Sequence, residues 1–341
     1  MGETMWNRLL GHDAWVTSFR EVVRRNRMAH AYLFVGPPGI GKRSFAIEFA
    51  KAILCENPPD LLTACDQCAG CRLVDAQTHP DFFFVAKPED ENVLSIDVMR
   101  KLCGDFSLKT ARGRGKVAIL DDADDLNDQS ANCFLKTLEE PPPRSVFILI
   151  GTTMEQQLAT IRSRCQTVRF APLQAAVVQQ LLEKAELPDR SLIPRLVRLA
   201  EGSPGQALAL ADPVLWEFRN RLIAALTNPR IETLELSKAF TEFAEDAGKE
   251  TSLHRARVSL TLRLFLAALR DAVRLRLGEV APEVLDGEAQ LIQTLARRVS
   301  PEHSVRMVDR VLEAEVQLDR YIPIGLILEG LVDAWAQILE K

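Results

Sequence analysis

No apolar run in this 341-residue chain approaches the roughly 18–20 residues needed to cross a bilayer, which excludes a helical membrane protein. An excess of positive charge is also missing. The net charge of −5 excludes a nonspecific polycation, although a local basic surface could still meet phosphates. Met1 to Arg8 lack the basic start, apolar stretch and small-residue cleavage site of a secretory signal, so a cytoplasmic location is expected. No fixed-period repeat or low-complexity linker occurs. The seven cysteines are an odd number with no export signal, which argues against a disulfide framework. What remains is ordinary globular material, 47% hydrophobic and 26% charged, enough for more than one core and for two or three domains.

The spacing of Trp15, Val16, Phe19, Val22 and Val23 predicts a helix over 13–25. The short run 31–35 predicts a strand, and 44–54 predicts a second helix. Further strands are expected at 82–85, 117–120 and 146–150. Strands alternating with helical stretches imply a parallel sheet covered by helices. After Pro172 strand signals cease. Residues 173–211 read as short helices broken at Pro188 and at Gly202-Ser203-Pro204-Gly205, and 215 onward is nearly all helical, with one long helix over 255–278.

Between the first strand and its helix lies Gly36-Pro37-Pro38-Gly39-Ile40-Gly41-Lys42, the pattern and context of a phosphate-binding loop. Glycines let backbone N–H groups converge on phosphate oxygens, and the helix N-terminus adds a favourable dipole. Lys42 would serve the terminal phosphates. The hydroxyl residue that should follow it and ligate magnesium is replaced by Arg43. Ser44 comes one residue late, about 100° further round the helix. Asp121 and Asp122, at the end of a strand, are suited to a metal and an attacking water, although many ATPases carry Glu at the second place. Thr152 and Thr153 follow another strand, where hydroxyls could sense a terminal phosphate.

Cys55, Cys65, Cys68 and Cys71 have the spacing C-x9-C-x2-C-x2-C, suited to a closed tetrahedral zinc site without a catalytic position. His79 is a competing ligand only if that set is incomplete. Arg164, in Ile161-Arg162-Ser163-Arg164-Cys165, is a candidate arginine finger for a neighbouring subunit's nucleotide, with Arg162 as its local competitor. Lys109, Arg112, Arg114 and Lys116 form a basic turn able to touch nucleic-acid phosphates.

These motifs together resemble the delta-prime subunits of bacterial DNA polymerase III clamp loaders, in the AAA+ class. The resemblance is carried by His30-Ala31-Tyr32-Leu33-Phe34, the loop, the four cysteines, His79-Pro80-Asp81, Leu138-Glu139-Glu140-Pro141-Pro142, Gly151-Thr152-Thr153 and Ser163-Arg164-Cys165-Gln166. Glu201-Gly202-Ser203-Pro204-Gly205-Gln206-Ala207 extends it to about residue 211. Beyond that the likeness is architectural.

The resemblance implies an α/β P-loop AAA+ domain at 1–172 with a parallel sheet and a zinc module at about 55–71. A small helical lid at 173–212 and an all-α collar domain at 213–341 would follow. It implies a stator with little or no ATPase activity of its own, counted with DNA-directed DNA polymerase only as a holoenzyme subunit. Its partners would be gamma/tau and delta subunits in a five-membered ring, with the sliding clamp and primed DNA reached through the complex, and no membrane. Arg164 would be the finger acting in trans. Gly36, Pro37, Gly39, Ile40, Gly41, Lys42, Arg43, Ser44, Asp121, Asp122 and Thr152 would line a site for ATP or ADP as a passive ligand, beside a structural zinc ion. Two rivals are the ATP-hydrolysing gamma/tau motor subunit and a zinc-bearing DNA-binding module. Against the motor stand Arg43, Asp122 and the lid's Gly-Ser-Pro-Gly, which lacks a sensing arginine. Against the module stands the absence of aromatic interleaving or a groove-reading helix.

Overall fold

The computed structural model describes residue 6 and residues 9–88, 93–279 and 288–340. Most of the N-terminal segment read for an export signal therefore lies outside the described residues. Among the described residues no helix is long and apolar enough to cross a membrane. The chain forms two compact units, Met1–Glu186 with Ala200–Ala207, and Leu187–Leu199 with Leu208–Lys341.

In the first unit, helix α1 (Asp13–Arg24) precedes strand β1 (Ala31–Val35) and helix α2 (Lys42–Leu54). Then come α3 (Ala69–Asp75), β2 (Phe82–Val85), α4 (Ile96–Ser107), β3 (Lys116–Leu120), α5 (Asp128–Glu139), β4 (Ser145–Gly151), α6 (Ala159–Arg162), β5 (Gln166–Arg169) and α7 (Ala175–Lys184). The strands lie in the order β2-β3-β4-β1-β5, and every pairing is parallel. The expected strands are present, each within a residue or two of its anticipated bounds.

β1 is buried along its whole length, which explains its continuous apolar sequence. Tyr32 and Phe34 face one layer, with Phe19 of α1 and Phe45 and Phe49 of α2. Ala31, Leu33 and Val35 face the other, with Leu102 and Phe106 of α4 and Phe134 of α5. The side-chain period of two thus divides one strand between two cores. The doubly covered sheet brings the carboxyl ends of β1, β3 and β4 to one edge, the usual place for a ligand in an open α/β sheet.

The second unit is helical. It contains α8 (Ile193–Leu199), most of the segment after α9 (Pro204–Ala209), and then α10 (Pro213–Thr227), α11 (Thr233–Glu245), α12 (Thr251–Arg276), α13 (Ala289–Arg298), α14 (Pro301–Asp319) and α15 (Ile324–Leu339). Its interior includes the fully buried Arg219, which shares the Glu288 carboxylate with Arg195. Both guanidinium groups lie over Trp216, at 4.3 and 4.9 Å from its ring centre. Glu288 is the shared anion of both cations, so its removal would leave two buried guanidinium groups without it, which is costly.

Candidate functional site

The phosphate loop leaves β1 at Gly36 and enters α2 at Lys42. Gly39 has φ +76°, and a side chain there would meet the Ser203 hydroxyl at 2.6 Å, so only glycine fits. Every carbonyl from Gly36 to Gly41 is taken by the protein itself. Lys42 Nζ donates to Gly36 O and, at 2.8 Å, to Pro37 O. Ser203 Oγ donates to Pro38 O at 2.8 Å, and the Gly205 amide to Gly39 O at 2.9 Å. His12 Nε2 reaches Ile40 O at 2.7 Å, and the Phe45 amide reaches Gly41 O at 2.9 Å. A carbonyl can only accept, so His12 carries its proton on Nε2. Burial holds His12 below its ordinary pKa and lowers Lys42 as well.

The amides of residues 39–44, by contrast, have no acceptor among the described residues. A loop with its carbonyls tied back and its N–H groups open is a nest for an anion.

The loop borders a cleft of about 370 Å³ lined by Pro38, Gly39, Gly41, Lys42, Arg43, Ser44, Asp121, Asp122, Asp124 and the end of β4 with Thr152. Of the residues named from the sequence, Gly36, Pro37 and Ile40 support the loop without lining the cleft, and the Ile40 side chain belongs to the core beneath it. Arg43 Nε forms an ion pair with Asp121 Oδ2, and the guanidinium lies 5.2 Å from the centre of the Phe84 ring. Asp122 has left-handed backbone, with φ +55°. Burial and the adjacent Asp121 raise its carboxyl above the ordinary range.

Asp124, unmarked in the sequence, accepts from the Thr152 amide at 2.8 Å and from Gln157. The Thr152 carbonyl in turn accepts from the Gly36 amide at 2.9 Å. The Thr152 hydroxyl donates to Gln156, and the Thr153 hydroxyl accepts from the Gln156 amide. Thr153 does not line the cleft.

The four cysteines meet where α2 ends and α3 begins, with all four sulfurs within 4.8 Å of one another. The four are joined in sequence by three backbone donors. The amides of Cys65, Cys68 and Cys71 reach the sulfurs of Cys55, Cys65 and Cys68, each at 3.3 Å. Burial pushes the Cys55 and Cys71 thiols up. At Cys68 burial is outweighed by bonds from the Cys71 and Glu56 amides, which bring it down to about 6. Such a set can hold a metal ion.

His79 is not in the cluster; its Nδ1 accepts from the Asp81 amide at 3.0 Å. Lys51, buried on α2 and paired with Glu48 of the same helix at 3.0 Å, fixes the cysteine turn and α3 to that helix through Asp66 and Asp75 at 2.8 and 3.1 Å. Nothing in the local spacing marked Lys51 for this part.

Arg164 lies just past Ser163, the residue that caps α6, and precedes the edge strand β5. Gln166 pairs with Tyr32 and Arg169 with Val35, so the amino end of β5 lies about 10 Å of strand away from the level of the phosphate loop. Arg164 is half-buried and pairs with Glu139 at the end of α5, with a further bond to Thr160 O at 2.9 Å. Arg162 instead bonds Met154 O at 3.2 Å.

The basic turn is smaller than its sequence suggests. Lys116 is buried and donates to Asp105 O and Phe106 O at 3.0 and 3.1 Å, so it cannot touch nucleic acid. Arg112 pairs with Glu56, and Asp81 holds the turn by accepting from the Ala111 and Arg112 amides. Lys109 and Arg114 remain exposed.

Residues 11–174 match the family model described as DNA polymerase III, delta subunit. The chain is 35% identical over 197 residues to DNA polymerase III subunit delta' of Escherichia coli (strain K12), covering 58% of this chain and 59% of that protein. Identity to the Pseudomonas aeruginosa subunit of the same name is 38% over 202 residues, covering 58% and 61%. The chain thus matches about three fifths of the length of these curated relatives. A crystal structure of a DNA polymerase III gamma subunit-related protein from Thermotoga maritima is similar with a TM-score of 0.51. Identity is 19%, covering 94% of this chain and 98% of that one, a likeness of fold alone.

Proposed function

We propose, from the premise that the chain is a relative of the DNA polymerase III delta-prime subunits, that it is the stator of a clamp loader. In this reading it sits in a ring with gamma/tau and delta subunits, helps load a sliding clamp onto primed DNA, and hydrolyses little or no ATP itself. Its domains would be the AAA+ part at 1–172, the lid at 173–212 and the collar at 213–341.

The observation that carries this reading is the Arg43–Asp121 ion pair. A motor subunit needs Asp121 available to a metal and a hydroxyl after the loop lysine. Here a guanidinium occupies both needs with a fixed charge that cannot polarise water. Arg164, at the other end of the sheet, would reach the γ-phosphate of ATP held by the adjacent subunit. There it would stabilise charge on the transferring group, an effect worth about 10³–10⁵ in rate. Because the finger is present only in the docked ring, hydrolysis would be tied to assembly.

The four cysteines would hold one structural zinc. A tetrahedral ion with Zn–S bonds of about 2.3 Å places its sulfurs about 3.8 Å apart. The Cys55–Cys68 and Cys65–Cys71 separations are both 4.0 Å. The ion would fold an insertion with little apolar content of its own.

The test is steady-state ATP turnover by the purified chain. Negligible hydrolysis is expected. Turnover at about 1 per second or faster, abolished by Lys42→Ala, would make the chain a motor instead.

A further inference from the structure

We propose that the cleft binds a nucleoside di- or triphosphate without a divalent metal ion, with Arg43 supplying the positive charge that magnesium brings to a related site. This deepens the reading of Gly36–Lys42 as a nucleotide loop and rests on the same Arg43–Asp121 pair as the stator reading, which ATP turnover tests separately. AAA+ relatives imply magnesium, and the residues of this cleft do not fit it. The hydroxyl position after Lys42 is Arg43, and the Asp121 carboxylate is already paired with that arginine. Asp124, another cleft acid, is spent on the Thr152 amide and Gln157. A divalent ion entering here would have to displace a guanidinium from its carboxylate and then lie beside that like charge.

The same residues are well arranged for phosphate alone. The amides of residues 39–44 have no acceptor among the described residues, while the loop carbonyls, which would repel an anion, are all occupied. Arg43 uses only Nε on Asp121, and its two Nη groups have no partner among the described residues. Asp121 on one side and the Phe84 ring at 5.2 Å fix the plane of the guanidinium, whose side chain is 56% exposed beside the cleft. A planar fork held in this way can bind two phosphate oxygens at once, which lysine or a hydrated ion cannot imitate. The base has no recognition element among the cleft residues, so discrimination is expected to rest on phosphate number rather than on the base.

The experiment is calorimetric titration of the full chain with ATP and with ADP, once in EDTA and once in excess magnesium. The parent is expected to bind in EDTA within about threefold of its affinity in magnesium. Arg43→Ala should weaken binding in EDTA by about tenfold or more, the loss of a charge-assisted contact. Arg43→Ser should bind poorly in EDTA and recover when magnesium is added, because it frees Asp121 and restores a hydroxyl. Arg43 is exposed, and melting curves would show that both variants remain folded.

A parent affinity that rises tenfold or more with magnesium would overturn the proposal. So would an absence of binding in EDTA at millimolar nucleotide, or unchanged EDTA binding by Arg43→Ala. These outcomes concern nucleotide and metal binding by the cleft, whereas the stator reading is judged separately, by ATP turnover in the chain and in the assembled ring.

Discussion

At the carboxyl end of the sheet, Arg43 pairs with Asp121 beside the chain's own cleft. Near the amino end, Arg164 lies against the edge strand with Glu139 as its partner and a third of its side chain exposed. The first arginine neutralises an acid that catalysis would need. The second is held by an exposed carboxylate and by the nearby Thr160 carbonyl, both at the surface, and such surface ion pairs are worth about 0–1 kcal/mol. In the proposed reading, a single charged residue type quiets one end of the sheet and equips the other. The difference lies in what each guanidinium faces.

Metal should belong to neither end but to the cysteine cluster between α2 and α3, where the largest effect is expected. Cys71→Ser, at a fully buried position, should abolish zinc retention and lower unfolding stability by about 4 kcal/mol. Metal analysis beside a denaturant melt would check this. Full zinc in the variant would place the ion elsewhere and break the comparison.

A smaller effect is expected at Glu139. Glu139→Gln keeps the shape of the Arg164 contact and removes its charge, so ATP turnover in the reconstituted ring should change by about two- to fivefold. A hundredfold loss would mean that Glu139 is required to aim the finger rather than merely to park it.

The smallest effect is on pH dependence. Burial depresses the folded-state pKa of His12 below 6.5, so the unfolded chain takes up its proton first. The contribution is fully retained above that value and declines as pH falls through and below it. His12→Gln, which can still donate to Ile40 O, should flatten the fall in melting temperature between pH 7 and about 5. An unchanged slope would show that other groups govern acid sensitivity.

The sequence made legible whatever is written in short spacing. The strand, loop and helix around Lys42, the cysteine run and the Ser163-Arg164 end of α6 each sit within a few consecutive residues, where backbone periodicity and turn chemistry decide the outcome. The contacts that give the cleft its character join distant segments: His12 with Ile40, Arg43 with Asp121, Asp124 with Thr152, and Ser203 with Pro38. No local pattern encodes such pairs. Lys116 shows the opposite difficulty. It reads as part of a basic stripe, yet its long stem carries the ammonium to the last carbonyls of α4 beneath two phenylalanine rings. A letter gives a side chain's charge but not where that charge ends. In the helical unit, apolar spacing marks the helices but did not mark the Arg195–Glu288–Arg219 cluster, whose members come from three separate segments.

The most direct test sets the two ends of the sheet against each other in one assay. A neighbouring motor subunit, with clamp and primed DNA, is titrated with the parent chain, with Lys42→Ala and with Arg164→Ala while ATP hydrolysis is followed. The expected result is that the parent and Lys42→Ala raise turnover along the same curve to a stoichiometric plateau. Arg164→Ala should leave turnover lower by about 10³-fold, with folding and the metal content of the cysteine cluster expected to match the parent. Full stimulation by Arg164→Ala, together with loss of stimulation by Lys42→Ala, would contradict a silent cleft paired with a finger acting in trans.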